Sequence, residues 1–369
     1  MTVNNIYPWQ KEVWRKVAGG SLGHAMLLRG RKGLGKLAFA TYLAKSRLCE
    51  KPSPDGEACE ACTSCRWFEQ GGHPDFRLVE PDSVSGTPGS ANDMAGDESA
   101  DPGTNIEPLS KGGTEPGSAK SGKKPSKQIS VGQIRDLNDF INISSHQNGD
   151  KIILIHPAET MNIAAANALL KNLEEPPPRT LFILVTHQAQ HLLPTIRSRC
   201  RQVAMPAPDP ATAAGWLKQQ GLRNPEECLA SAGYAPLAAL EFNNEDYLER
   251  HNAFIRQISV TGNFNPMAMA EEMQKSDLHS VINWLQKWCY DLMSFHMTRT
   301  VRYHLDMHEA IKAQASGIDP RSMAAYLRTL AETQQLASHP LNPRLFLEEL
   351  LFSYVTVLSS ASSVSTARD

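Results

Sequence analysis

Three continuous, largely apolar runs punctuate the first half of the chain: Ala25-Met26-Leu27-Leu28, Lys151-Ile152-Ile153-Leu154-Ile155 and Thr180-Leu181-Phe182-Ile183-Leu184-Val185-Thr186. Runs of this length without polar alternation fill central parallel strands, which are covered on both faces. Helix-period stretches lie around them. Trp9, Val13 and Val17 predict a short amphipathic helix over 5–20, and Leu37-Ala38-Phe39-Ala40 begins another that runs towards Leu48. Val131, Ile134, Leu137 and Ile141 share one helical face, and Ala164 to Leu173 is a helix stopped by Pro176-Pro177-Pro178. A further helix from about Ala189 carries Leu192, Leu193 and Ile196 and ends near Ser198-Arg199-Cys200; Gln202-Val203 opens a last strand. This alternation predicts a parallel sheet with helices on both faces.

After Pro210 the pattern is helical to the end. Residues 211–242 suit a small helical subdomain and 244–358 a larger one, with periodic stretches at Val281–Met293, Ser322–Leu336 and Pro343–Leu358. The small polar residues 359–369 read as a frayed tail. The expected fold class is therefore α/β plus all-α.

Composition changes this picture in one place. From about Pro81 to Gln128, Gly, Ser, Pro, Asp and Lys dominate, no aromatic residue occurs, and Val84, Met94, Ile106 and Leu109 are isolated. Such a stretch buries too little apolar surface to offset its chain entropy, so 81–128 is expected to be a disordered insertion. Its late lysines, Lys120, Lys123, Lys124 and Lys127, read as a solvated tail. Elsewhere 369 residues with 41% hydrophobic content and a net charge of −2 describe two or three ordinary packed domains, without the basic excess of a non-specific DNA binder. The N-terminal residues lack a basic-then-apolar signal pattern and no run is long enough to span a membrane, so the expected location is cytoplasmic.

In that compartment cysteines are metal ligands sooner than disulfide partners. Four of the seven, Cys49, Cys59, Cys62 and Cys65, are spaced C-x9-C-x2-C-x2-C. The short gaps let neighbouring thiolates turn onto one centre, and four sulfurs complete a closed tetrahedral Zn²⁺ site with no open position. The expected role is structural; an iron–sulfur cluster is less favoured because nothing else in the chain points to electron transfer.

Gly30-Arg31-Lys32-Gly33-Leu34-Gly35-Lys36-Leu37 nearly fits the phosphate loop G-x-x-x-x-G-K-[ST]. In such a loop backbone N–H groups cradle phosphates, the lysine reaches them and the final hydroxyl ligates Mg²⁺. Leu37 has no oxygen to offer. The next central strand normally ends in acids for the metal and the attacking water, but here it ends in His156-Pro157, with Glu159 later than the strand tip. Both losses fall on one apparatus, so hydrolysis is not expected. Gly30, Gly33, Gly35 and Lys36 retain a phosphate cradle, and nucleotide binding stays open at this point.

His24-Ala25-Met26-Leu27-Leu28, the four-cysteine module, Asn167-Ala168-Leu169-Leu170-Lys171-Asn172-Leu173-Glu174-Glu175-Pro176-Pro177 and Ser198-Arg199-Cys200 together resemble the bacterial clamp-loader subunits. With its altered phosphate-loop motifs the chain is most similar to the delta-prime branch of DNA polymerase III, not to the ATP-hydrolysing gamma/tau branch. The resemblance implies an AAA+ protein. It would have a RecA-like domain over 1–206 containing the zinc module at about 49–65, a helical lid over 207–242 and a helical collar over 243–358. It implies a rigid stator that works with gamma/tau and delta subunits, and through them with the sliding clamp and primed DNA. It also implies that the S-R-C arginine, Arg199, completes a neighbour's ATP site. A guanidinium at a helix end suits that task, since it can stabilise charge on a γ-phosphate bound by another chain. The lid arginine of ATPase members has no counterpart around 231–238. Two other functions stand beside this one: an ATP-hydrolysing gamma/tau-like subunit using Glu159, and a zinc-dependent DNA-binding protein, against which the mild acidity weighs.

Overall fold

Five strands pair in parallel: β1 (Ala25–Arg29), β2 (Phe76–Val79), β3 (Lys151–Ile155), β4 (Thr180–Thr186) and β5 (Arg201–Ala204), in the order β2-β3-β4-β1-β5. They are seen in a computed structural model that describes residues 6–18, 20, 22–85, 126–143, 145, 149–260, 264–337 and 342–360. The three apolar runs form the three inner strands, and every residue of β3 and β4 is buried. Leu27 at the middle of β1 lies opposite Leu184 on one side and Gln202 on the other. β2 lies at an edge with Arg77 and Leu78 exposed, which is why Phe76-Arg77-Leu78-Val79 gives no continuous apolar signal.

The helices around this sheet are α1 (Lys11–Ala18), α2 (Lys36–Leu48), α3 (Thr63–Glu69), α4 (Asp82–Ser85), α5 (Val131–Asn142), α6 (Ile163–Glu174) and α7 (Pro194–Arg199). α1 is shorter than the expected helix over 5–20, because Pro8–Gln10 forms a separate 3-10 turn. Its buried face is Val13, Trp14 and Val17. Trp14 packs on Phe39 and Tyr42, whereas Trp9 stacks on Tyr7 with ring centroids 4.9 Å apart. α6 begins where Asn162 Oδ1 accepts the Ala165 N–H at 2.7 Å and ends at Glu174, ahead of the prolines. α7 starts at Pro194 and not at Ala189; Ala189–His191 is a 3-10 turn, and the fixed φ of a proline suits a first helical position. Leu27, Ile153, Phe182 and Leu184 from the sheet share a core with Ile134, Leu137, Leu169, Leu173 and Ile196.

The chain divides into two compact units, 1–30 with 36–205, and 31–35 with 206–369. The second unit is helical: α8 (Pro210–Gln219), α9 (Pro225–Ser231), α10 (Pro236–Ala239), α11 (Glu245–Ile258), α12 (Pro266–Met273), α13 (Leu278–Thr298), α14 (His308–Ala315), α15 (Pro320–Leu336) and α16 (Pro343–Ser360). Asp209, Asn265 and Asp319 accept backbone N–H groups just before a proline that opens a helix, the local chemistry that starts α8, α12 and α15. Ala213, Leu217, Leu222, Leu229 and Ala239 make one small core; Trp288 and Tyr354 lie in a larger one, where the indole N–H donates to the Tyr354 hydroxyl at 2.9 Å. The regions expected as lid (207–242) and collar (243–358) both fall in this unit.

Most of the insertion expected at 81–128, namely 86–125, lies outside the described residues, as does 361–369 of the expected tail. The described edges of that stretch differ from the expectation: α4 occupies 82–85, and the Ser83 N–H donates to the Ser126 carbonyl at 3.0 Å. No described helix is long and apolar enough to cross a membrane.

Candidate functional site

The four cysteines converge. Their sulfurs lie within 4.8 Å of one another, and Cys49 Sγ and Cys62 Sγ are 3.9 Å apart. Tetrahedral Zn²⁺ with Zn–S bonds of about 2.3 Å sets its sulfurs about 3.8 Å apart, so the donor set fits that ion. Cys62 caps α3 with its sulfur accepting the Cys65 N–H, and Cys49 Sγ accepts the Cys59 N–H at 3.2 Å. The x2 spacing thus places one ligand at a helix cap and the next in that helix's first turn. Backbone donors at Ala61 and Cys62 draw the Cys59 thiol down to about 6, while burial raises Cys49 and Cys65.

Beside this module Ser64, His73 and Asp75 are buried together, with Ser64 Oγ 2.8 Å from His73 Nε2. The wiring is not that of a hydrolase. The Asp75 backbone N–H donates to His73 Nδ1, so Nε2 carries the proton, and the Ser64 hydroxyl donates to the Leu48 carbonyl. His73 in that tautomer has no lone pair with which to take a proton from Ser64.

In the glycine loop Gly30, Gly33 and Gly35 all have positive φ, 155°, 83° and 78°. Lys36 opens α2 at 2% exposure, and its Nζ donates to the Gly30 carbonyl at 2.7 Å. Burial pulls its pKa down to about 8, against a smaller opposing pull from Glu159. The loop's tip belongs to the second unit. There the Leu237 N–H donates to the Gly33 carbonyl at 3.0 Å, and Arg31 donates to the Gly233 carbonyl. A Cβ on Gly33 would lie 2.9 Å from the Ala238 Cβ, so this glycine is needed for close approach as well as for its φ.

At the carboxyl ends of the strands, His156 follows β3 and its Nδ1 lies 2.8 Å from Glu80 Oε1, the residue after β2. Glu159, in the 3-10 turn Ala158–Thr160, accepts the His187 backbone N–H at 2.9 Å through Oε1. Its Oε2 is buried with no hydrogen-bond partner among the described residues. The carboxylate is late in sequence, but the turn carries it back to within electrostatic reach of Lys36. Glu80 and His187 had no signal in the sequence: one follows an edge strand, and the other contributes a backbone N–H.

Arg199 is the last residue of α7, half-buried, with Nη1 donating to the Thr195 carbonyl at 3.0 Å and Nη2 2.7 Å from Glu174 Oε1. Cys200 beside it is buried, which raises its thiol to about 11 and leaves it unreactive at neutral pH. The four cysteines therefore form one cluster, Lys36 and Glu159 a second, and Arg199 stands with Glu174.

A family profile described as DNA polymerase III, delta subunit, matches residues 9–209, and a second, for the C-terminal part of that delta subunit, matches 245–356. The DNA polymerase III subunit delta' of Pseudomonas aeruginosa is 31% identical over 301 residues, covering 80% of this chain and 79% of that protein. The Haemophilus influenzae and Escherichia coli subunits of the same name are 27% and 24% identical, covering 85% and 94% of this chain and 83% and 94% of theirs. A DNA polymerase III gamma subunit-related protein of Thermotoga maritima aligns with a TM-score of 0.41 at 17% identity, covering 95% of this chain and 99% of that one. With a profile over more than half its length and a relative above 30% identity across most of both proteins, the chain belongs to the delta-prime subunit family of DNA polymerase III.

Proposed function

We propose that this chain is a non-hydrolysing, cytoplasmic subunit of the clamp-loader complex of DNA polymerase III. In this reading it assembles with gamma/tau and delta subunits, helps load the sliding clamp onto primed DNA, and supplies Arg199 in trans to a neighbour's ATP. The observation that carries it is the strand tip after β3, where a metal-binding ATPase needs a free acid. His156 stands there instead, hydrogen-bonded to Glu80, and Leu37 supplies no metal ligand from the loop. Cys49, Cys59, Cys62 and Cys65 hold structural Zn²⁺; with four thiolates the ion has no position open for substrate.

Arg199 suits the finger role because it ends a helix with part of its guanidinium facing solvent. The test is ATP hydrolysis by the reconstituted complex. Arg199→Ala is expected to lower turnover by on the order of 10³, the scale of other trans arginines. An unchanged rate would overturn the finger role. The isolated chain separates the other reading, an ATPase that uses Glu159, which draws on that carboxylate's proximity to Lys36. It requires Mg²⁺-dependent turnover by the isolated chain, abolished by Lys36→Ala; no turnover above background removes it.

A further inference from the structure

The Arg199 guanidinium is not left to find its own orientation. It is held at two points of its own chain, by the Thr195 carbonyl one turn back in α7 and by Glu174 Oε1 at the end of α6. A guanidinium has five N–H donors, and these contacts use one on each terminal nitrogen. The others have no protein partner among the described residues, and the Arg199 side chain is 34% exposed. The fork is thus fixed on one side and open on the other.

Glu174 is poorly placed for the stability of its own helix. It is the last residue of α6, where a carboxylate meets the negative end of the helix dipole. Arg199 at the end of α7 has the favourable sign for its own helix. A local rule broken at a surface position and compensated, among the described residues, by an ion pair to a candidate functional group is the pattern of a residue kept for the site.

We infer that Glu174 is a positioning residue for Arg199: it aligns the guanidinium so that the remaining donors face a phosphate bound by a neighbouring subunit. This rests on the finger role proposed above. Preorganised donors stabilise developing charge without reorganising during reaction, so a finger tethered on a rigid helix pair outperforms a mobile one. The phosphate need not displace Glu174, because it is offered different N–H groups.

The test uses the reconstituted clamp-loader complex and full ATP-hydrolysis kinetics. A half-exposed pair holds its geometry weakly, so Glu174→Ala is expected to lower kcat by about two- to fivefold. KM for ATP stays unchanged, since the neighbour's own loop binds the nucleotide. Glu174→Gln, which keeps an acceptor oxygen of the same reach, recovers most of the loss. The double variant Glu174→Ala/Arg199→Ala is no slower than Arg199→Ala alone, because Glu174 acts only through the arginine. Melting of the free protein, unchanged in Glu174→Ala, excludes a folding defect. A slow Arg199→Ala complex beside a Glu174→Ala complex at the wild-type rate overturns the positioning role and leaves the finger. Independent, multiplying effects of the two substitutions overturn it as well. An Arg199→Ala complex at the wild-type rate overturns the finger itself, and the positioning role falls with it.

Discussion

Lys36 keeps the position of a phosphate-loop lysine but satisfies its ammonium on the chain itself, through the Gly30 carbonyl and the charge of Glu159. That arrangement has a pH signature. Burial lowers its folded-state pKa from 10.5 to about 8, so between those values the unfolded chain holds a proton that the folded chain has released. Stability contributed by this group therefore rises with pH from about 8 to about 10.5 and is flat below. In Lys36→Met that rise is lost. Urea unfolding of both proteins at about pH 8 and about pH 10 measures the difference, and parallel pH dependence would contradict the buried, charged lysine. Leu37 and His156 were legible because each replaces a residue type that a known spacing demands. Glu80, the His187 N–H and the Glu174–Arg199 pair were not, because their meaning comes from segments brought together only by the sheet and its flanking helices.

Elements were legible where the chain must bury both faces or must stop. β3 and β4 read directly as apolar runs, and α6 ends where the three prolines remove further N–H donors. β2 was invisible because an edge strand tolerates Arg77 and an exposed Leu78. α7 was misplaced because Leu192 and Leu193 extend the apolar period across a 3-10 turn that is not part of the helix. The cysteine module is legible for a different reason: its spacing encodes ligand geometry, and α3 begins at one ligand and contains another. If that helix depends on the ion, purified protein carries about one equivalent of zinc. Chelation should then release reactive thiols and raise amide exchange in α3 while β3 and β4 stay protected. Less than about half an equivalent of zinc, with free thiols and an unchanged α3, would contradict a structural metal.

Taken whole, the molecule's two units have different titratable weak points, Lys36 in the sheet unit and His251 in the helical one. His251 is 5% exposed, stacked on His304 with ring centroids 5.9 Å apart and edge-on to Trp284 and Phe242. Its neighbour is anchored: Asp291, fully buried, accepts the backbone N–H groups of Arg302, Tyr303 and His304 and lies 2.9 Å from His304 Nδ1. Burial first, and the nearby His304 second, lower the His251 pKa from 6.5 to about 4. As pH falls through that interval the unfolded chain takes up a proton that the folded helical unit refuses, so stability present above about 6.5 is lost towards 4. The full shift corresponds to on the order of 3 kcal/mol. A domain's entire margin is often only several times larger. The helical unit should therefore yield first to acid, while the alkaline limb of the stability profile is shared by Lys36 and by Lys287 of the helical unit, each drawn down to about 8 by burial. His251→Phe keeps an aromatic ring against Trp284 and removes the titration. Its unfolding midpoint should fall less than that of wild type between about pH 7 and about pH 4.5, followed by exchange protection of α11 and α13. An equal fall in both proteins would place the acid-sensitive group elsewhere.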